Sequence, residues 1–192
     1  MKPSRGQLIA LRPEARVDDL TDEGLVAACA TGDRAARALL FERFVEAVHR
    51  FVARMRGSDP HSVEDLVQVT FLAAFQAAAK FRGGHVRGWL YGIASNQVRL
   101  YARTEIRRKR ALAAVAELPA PAARSTDAML AAKLPDAIAA LPHDQRAALV
   151  LIDLEGERGT DAAAALGIPA GTLWRRVFQA RQALRAALGG GA

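Results

Sequence analysis

Apolar positions recur with a helical period along most of this chain. Leu40, Phe44, Val48, Phe51, Val52 and Met55 return every three or four residues, which predicts one long amphipathic helix. Thr21 ahead of Asp22 and Glu23 is the start signal of a shorter helix before it, and Gly32-Asp33 marks the break and a new cap. Gly57 to Pro60 ends the long helix. In "HSVEDLVQVTFLAAFQAAAKF" the stripe is Val63, Leu66, Val67, Phe71 and Phe75. Ser62 is its expected cap, with Asp65 completing a capping box. Gly83-Gly84 then makes a loop, and a further long helix is expected from about Arg87 to Arg110.

The pattern lapses over "AAVAELPAPAARSTDA", where Pro119, Pro121 and small residues read as a linker. It resumes in "MLAAKLPDAIAALPHDQRAALVLIDLEGE", two helices split at Leu141-Pro142. "TDAAAALGIP" and "GIPAGTLWRRVFQARQAL" follow as a short helix, a Gly turn at Gly167 and a second helix, the outline of a helix-turn-helix. The expected fold is all-α: two small helical domains joined by a flexible linker, the second containing the helix-turn-helix. The expected boundaries are a mobile arm at 1–19, a first domain at 20–110, the linker at 111–132, the second domain at 133–188 and a tail at 189–192.

Composition narrows the function. Of 192 residues 51% are hydrophobic but only 6% aromatic, so the cores are modest and rich in Ala. A single Cys29 excludes an internal disulfide framework, and its helical spacing reads as a buried thiol. The four His are scattered without metal-ligand spacing, so no metal site is expected, and no acid–base constellation for catalysis is present. No run has the length of a signal peptide core or a membrane span, and the chain is read as cytoplasmic and monomeric. The formal net charge is +7, and residues 81–110 alone, with eight Lys or Arg and one Glu, account for all of it. Charge focused in that way suits a surface that meets a polyanion.

Two stretches carry the chemistry. In the basic window Arg99, Arg103, Arg107 and Arg110 share one helix face, and Phe81, Trp89, Tyr91 and Tyr101 stand among the cations. Rings beside cations suit single-stranded nucleic acid, whose unpaired bases stack on them. In the last helix Thr172 is placed to meet a phosphate at the helix start. Trp174, Arg175, Arg176, Phe178, Gln179, Arg181 and Arg185 follow without an acid among them, over an inward face of Leu173, Val177, Ala180 and Leu184. Cations for phosphates, with Arg and Gln for base edges, are what a recognition helix in a major groove needs.

Together, "DLVQVTFLAAFQAAAKFRGG…GWLYGIASNQVR", "LPHDQRAALVLIDLEG" and "LGIPAGTLWRRVFQARQAL" resemble bacterial sigma factors of the extracytoplasmic-function (ECF) group. The resemblance covers roughly residues 20–110 and 133–188. It implies a protein that uses no cofactor and makes no bonds itself, binds core RNA polymerase and directs it to promoters. Glu64, Asp65, Leu66, Gln68 and Phe71 would dock on the clamp helices of the β′ subunit. The loop Phe81 to Val86 and the helix after it would take up flipped bases of the −10 element, through Phe81, Arg82, His85, Arg87, Trp89, Asn96, Arg99, Arg103 and Arg107. The last helix would read the −35 element as duplex, with the second domain on the β flap. An anti-sigma factor would hold the protein inactive.

The chain departs from the family pattern ahead of the helix-turn-helix. The family usually has "GLSYEEIA" there, and this chain has "GERGTDAA". Glu157 stands for Leu, Gly159 for Tyr and Ala162 for Ile. Losing those side chains predicts either a marginal second domain or one repacked around Trp174. Trp174 then either contacts the groove or refills the core. Two other functions stay open at this point: a sigma-like decoy that binds polymerase or an anti-sigma factor without transcribing, and a duplex-binding regulator that acts without polymerase.

Overall fold

The computed structural model describes residues 20–56, 60–113 and 130–189, and every regular element among them is helical. Helix α1 (Asp22–Ala30) opens as the sequence predicts, with Thr21 Oγ1 accepting from Gly24 N at 3.2 Å. Asp33 Oδ1 accepts from Ala35 N and Ala36 N and so starts α2 (Arg34–Arg56). The seven buried residues of α2 include all six positions of the predicted stripe. Cys29 is fully buried, and that burial pushes its thiol above the ordinary range.

Helix α3 (Pro60–Ala77) corrects one expectation. Ser62 is not its cap but a buried residue inside it, reached by Arg56 Nε at 3.2 Å. The helix begins two residues earlier because Pro60 has a fixed φ suited to a first helical position. A 3₁₀ turn (Ala78–Lys80) leads into the loop, where Gly83 and Gly84 take φ of +84° and +98°, a region that favours glycine. Glu23 of α1 accepts from Gly84 N at 2.8 Å and fixes that loop. Helix α4 (Val86–Ala113) follows, beneath which Phe51 of α2 stacks on Tyr91 with ring centroids 4.8 Å apart.

Helix α4 runs through Ala113 and α5 (Leu130–Ala140) starts at Leu130, so both helices reach into the expected linker. The rest of that linker, the expected arm and residues 190–192 lie outside the described residues. Helix α6 (His143–Leu149) follows the Leu141-Pro142 break and continues into a π-helical turn (Val150–Leu154) that the apolar period does not reveal. Helix α7 (Gly159–Leu166) ends on Gly167 at φ +63°, and α8 (Ala170–Gly189) completes the helix-turn-helix.

The second half does not stand apart. Its helices dock on the first, α7 on α4 and α5 on α2, and the buried residues of both form one continuous core.

Candidate nucleic-acid interface

The loop Phe81–His85 and the first turns of α4 form one wall of a cleft of about 330 Å³, lined by Phe81, Arg82, His85 and Trp89. The rings of Phe81 and Trp89 pack at 5.0 Å, both partly exposed. Further along α4, Asn96, Arg99, Arg103 and Arg107 are exposed, and Asn96 Oδ1 accepts from Arg99 at 2.8 Å. The structure therefore places all nine expected −10 residues on the loop and one helix. The side chain of Arg110, the last of the predicted stripe, lies outside the described residues.

The far wall of that cleft is Asp161, Ala164 and Ala165 of α7. Glu157, just before α7, is almost wholly buried and accepts from Arg87 Nε at 2.7 Å, with His85 Nδ1 3.1 Å from its other oxygen. Glu155 accepts from Arg54 and from the Tyr91 hydroxyl, the latter at 2.9 Å. Burial and the Glu155 carboxylate hold the Tyr91 hydroxyl protonated, far above the ordinary tyrosine value. His85, Glu157 and Asp161 bring possible ligand atoms within 4.8 Å of one another. Both oxygens of Glu157 are already engaged, by Arg87 and His85, which ties the loop before α4 to the segment before α7. Spacing along the chain gave no sign of it because the fold assembles it from distant residues.

His143 at the start of α6 lies 3.2 Å from the Ser95 hydroxyl of α4. Burial pushes its pKa down to about 4, and Arg146, Arg99 and Arg103 oppose its charge further, against Asp144, which favours it. An unfolded histidine takes its proton near 6.5. The contribution of the neutral ring to stability is therefore full above about pH 6.5 and is lost as pH drops toward 4. Urea midpoints between pH 7.5 and 4.5 should show that slope in the wild type and lose it in His143→Gln. Parallel profiles would remove His143 as its cause.

On α8, Trp174, Arg175, Phe178 and Arg185 form an exposed stripe, while Leu173, Val177 and Ala180 are buried as expected. Arg176 and Arg181 are turned toward acids of their own half, Asp144 at 2.8 Å and Asp153 at 2.6 Å. Gln179 lies 3.5 Å from Gln145, and Thr172 is partly covered in the first turn. Trp174 packs on its own half and keeps an exposed edge. It is half exposed, yet its ring fills the space over Gly159, where an added Cβ would come within 2.7 Å of it. A Tyr at that position would collide with it, so the half is repacked around Trp174.

The α3 face corrects the expected polymerase set. Leu66 and Phe71 are buried, because they sit on the stripe that packs on α2 and α4. Glu64, Asp65 and Gln68 are exposed, joined by Val69 and Leu72, which sequence reasoning had not singled out. Large apolar side chains left open between polar ones were the signal for them.

An all-helical protein with a basic, aromatic loop-and-helix surface followed by a helix-turn-helix is the class defined so far. Residues 40–109 match the family model of Sigma-70 region 2, and residues 131–184 that of Sigma-70 region 4. The chain is 36% identical to the ECF RNA polymerase sigma factor SigE of Mycolicibacterium smegmatis over 81% of its own length and 64% of the relative's, so it spans under two thirds of that protein. It is 33% identical to SigM of Mycobacterium tuberculosis over 88% and 85% of the two lengths, and 32% identical to the sigma-E factor of Escherichia coli over 87% and 94%. Among solved structures, CnrH in complex with the cytosolic domain of CnrY matches with a TM-score of 0.63 at 26% identity, over 89% of this chain and 99% of that one. RpoE in complex with the anti-sigma factor NepR from Bartonella quintana matches at 0.59 and 27%, over 79% and 96%. The chain belongs to the ECF RNA polymerase sigma factors. Among the described residues no helix is long and apolar enough to cross a membrane.

Proposed function

We propose that the chain binds core RNA polymerase, reads a −35 element as duplex and a −10 element as melted strand, and so starts transcription at a set of promoters. One observation carries this most directly: two different nucleic-acid chemistries occur in the order of the family. Region 2 offers paired rings and cations on a glycine loop, which suits unstacked bases. Region 4 offers a helix with an exposed basic stripe, which suits a major groove. The exposed Glu64, Asp65, Gln68, Val69 and Leu72 on α3 suit a helical polymerase partner, and region 4 the β flap. An anti-sigma partner is proposed by analogy with RpoE, which was solved bound to NepR.

Transcription in vitro with bacterial core RNA polymerase and a genomic promoter library tests the proposal. Transcripts sharing a −35 and −10 pair are expected. Arg99→Ala with Arg103→Ala should lower their yield at least tenfold, since both arginines face solvent on the −10 helix. Binding of core without any transcript would make the chain a decoy. A chain that ignores core but holds duplex DNA would be a regulator of another kind.

A further inference from the structure

We propose that His85, Glu157 and Asp161 form a site for one divalent transition-metal ion, Zn²⁺ by its donor set, joining the loop before α4 to the first turn of α7. The site is independent of the promoter reading given above.

The three side chains come from distant parts of the chain, and each brings one possible ligand atom within 4.8 Å of the others. His85 Nδ1 is already 3.1 Å from Glu157 Oε2. Zinc bonds of about 2.1 Å at tetrahedral angles set ligand atoms about 3.4 Å apart. The first pair therefore stands near coordination distance before any ion enters, and only Asp161 has to close in. Its carboxylate is free to do so. Asp161 is half-buried in the first turn of α7, and its side chain makes no hydrogen bond or ion pair among the described residues.

Glu157 is held ready for an ion. Its side chain is 2% exposed, and Oε1 accepts from Arg87 Nε at 2.7 Å, which leaves Oε2 turned toward His85. A carboxylate ligand that is itself hydrogen-bonded is the usual support of a metal site, and Arg87 is here the positioning residue. With a neutral imidazole the two carboxylates outnumber the one guanidinium, so the cluster carries net negative charge that a dication offsets. Glu157 also stands where the family pattern has Leu, yet both of its ion-pair partners lie in the other half of the fold.

There is room for the ion and its water. His85 and Asp161 both line the cleft of about 330 Å³, so solvent reaches the site and completes the shell. Gly88 keeps the neighbourhood clear. A Cβ there would stand 3.5 Å from His85 Nδ1 and 3.8 Å from the Asp161 carbonyl oxygen, and a longer side chain would crowd both. One imidazole with two carboxylates suits Zn²⁺ better than Mg²⁺ or Ca²⁺, which take oxygen ligands alone.

Calorimetric titration of the full chain, stripped with a chelator beforehand, tests the site. The wild type should take up one Zn²⁺ in the micromolar range. Asp161→Asn and His85→Gln should each weaken uptake at least about tenfold. Asp161 has no side-chain partner to lose, so its variant keeps the fold, and circular dichroism verifies that for both. His85 is also an expected −10 contact, so metal uptake and not transcription is the readout. Saturating Zn²⁺ should raise the melting temperature of the wild type by roughly 5 °C and leave both variants unmoved. Glu46 and His49, one turn apart on α2, are rival surface donors, and His49→Gln should leave uptake unchanged. Mg²⁺ in place of Zn²⁺ should bind at least about a hundredfold more weakly. Absence of uptake overturns the site, as does uptake that survives Asp161→Asn intact or is lost in His49→Gln. Mg²⁺ bound as tightly as Zn²⁺ overturns it too.

Discussion

Phe51→Ala is expected to lower the stability of the chain by about 3–5 kcal/mol, the usual cost of emptying a fully buried phenylalanine site. Phe51 has no exposed surface and lies in the last two turns of α2. Its ring stacks on Tyr91 at an interplanar angle of 25°. An Ala there leaves a void walled by helices that are themselves pinned, since Tyr91 is tied through its hydroxyl to Glu155. The cavity therefore cannot collapse without disturbing the contact of Tyr91 with Glu155, which places the cost at the upper end of that range. For a domain of this size the melting temperature should fall by roughly 10 °C or more. Urea unfolding followed by circular dichroism gives the free energy, with an unchanged m-value showing that the loss lies in the folded state. A loss under about 1 kcal/mol would mean that the α2–α4 core is not packed as described.

The helices were legible because apolar spacing and caps are local. Thr21, Asp33 and Gly167 each do in the structure what their position in the chain announces. Ser62 misled because a cap signal and a buried serine have the same neighbours in sequence. The deciding residue was Pro60, two places earlier. The split of α3 into a buried and an exposed face was also legible, but the family resemblance pulled Leu66 and Phe71 toward the partner when their spacing had already put them in the core. What the sequence could not disclose was the contact between α7 and α4. Glu157 and Gly159 read as losses to region 4, because nothing local says that a carboxylate will find Arg87 across the fold or that Trp174 will cover a glycine. Long-range complementarity leaves no period in the chain. It leaves residues that look wrong for their own domain.

The same lesson bears on α8. Arg175→Ala combined with Arg176→Ala should weaken binding to a −35 duplex about a hundredfold, at 1–3 kcal/mol for each lost bidentate contact. The two arginines are not equivalent in the structure. Arg175 is exposed on the stripe with Trp174 and Phe178, ready for a groove. Arg176 is partly covered and bridged to Asp144, so it must exchange that carboxylate for a phosphate or a base. Arg175→Ala alone should therefore account for the larger share of the loss. Fluorescence anisotropy on a promoter duplex and a scrambled one, across a range of salt, separates the roles. If both arginines meet phosphates, both duplexes lose affinity alike and the salt slope falls by about 2. If Arg175 reads a base, the promoter duplex loses more than the scrambled one. Unchanged affinity for both would take α8 off the DNA.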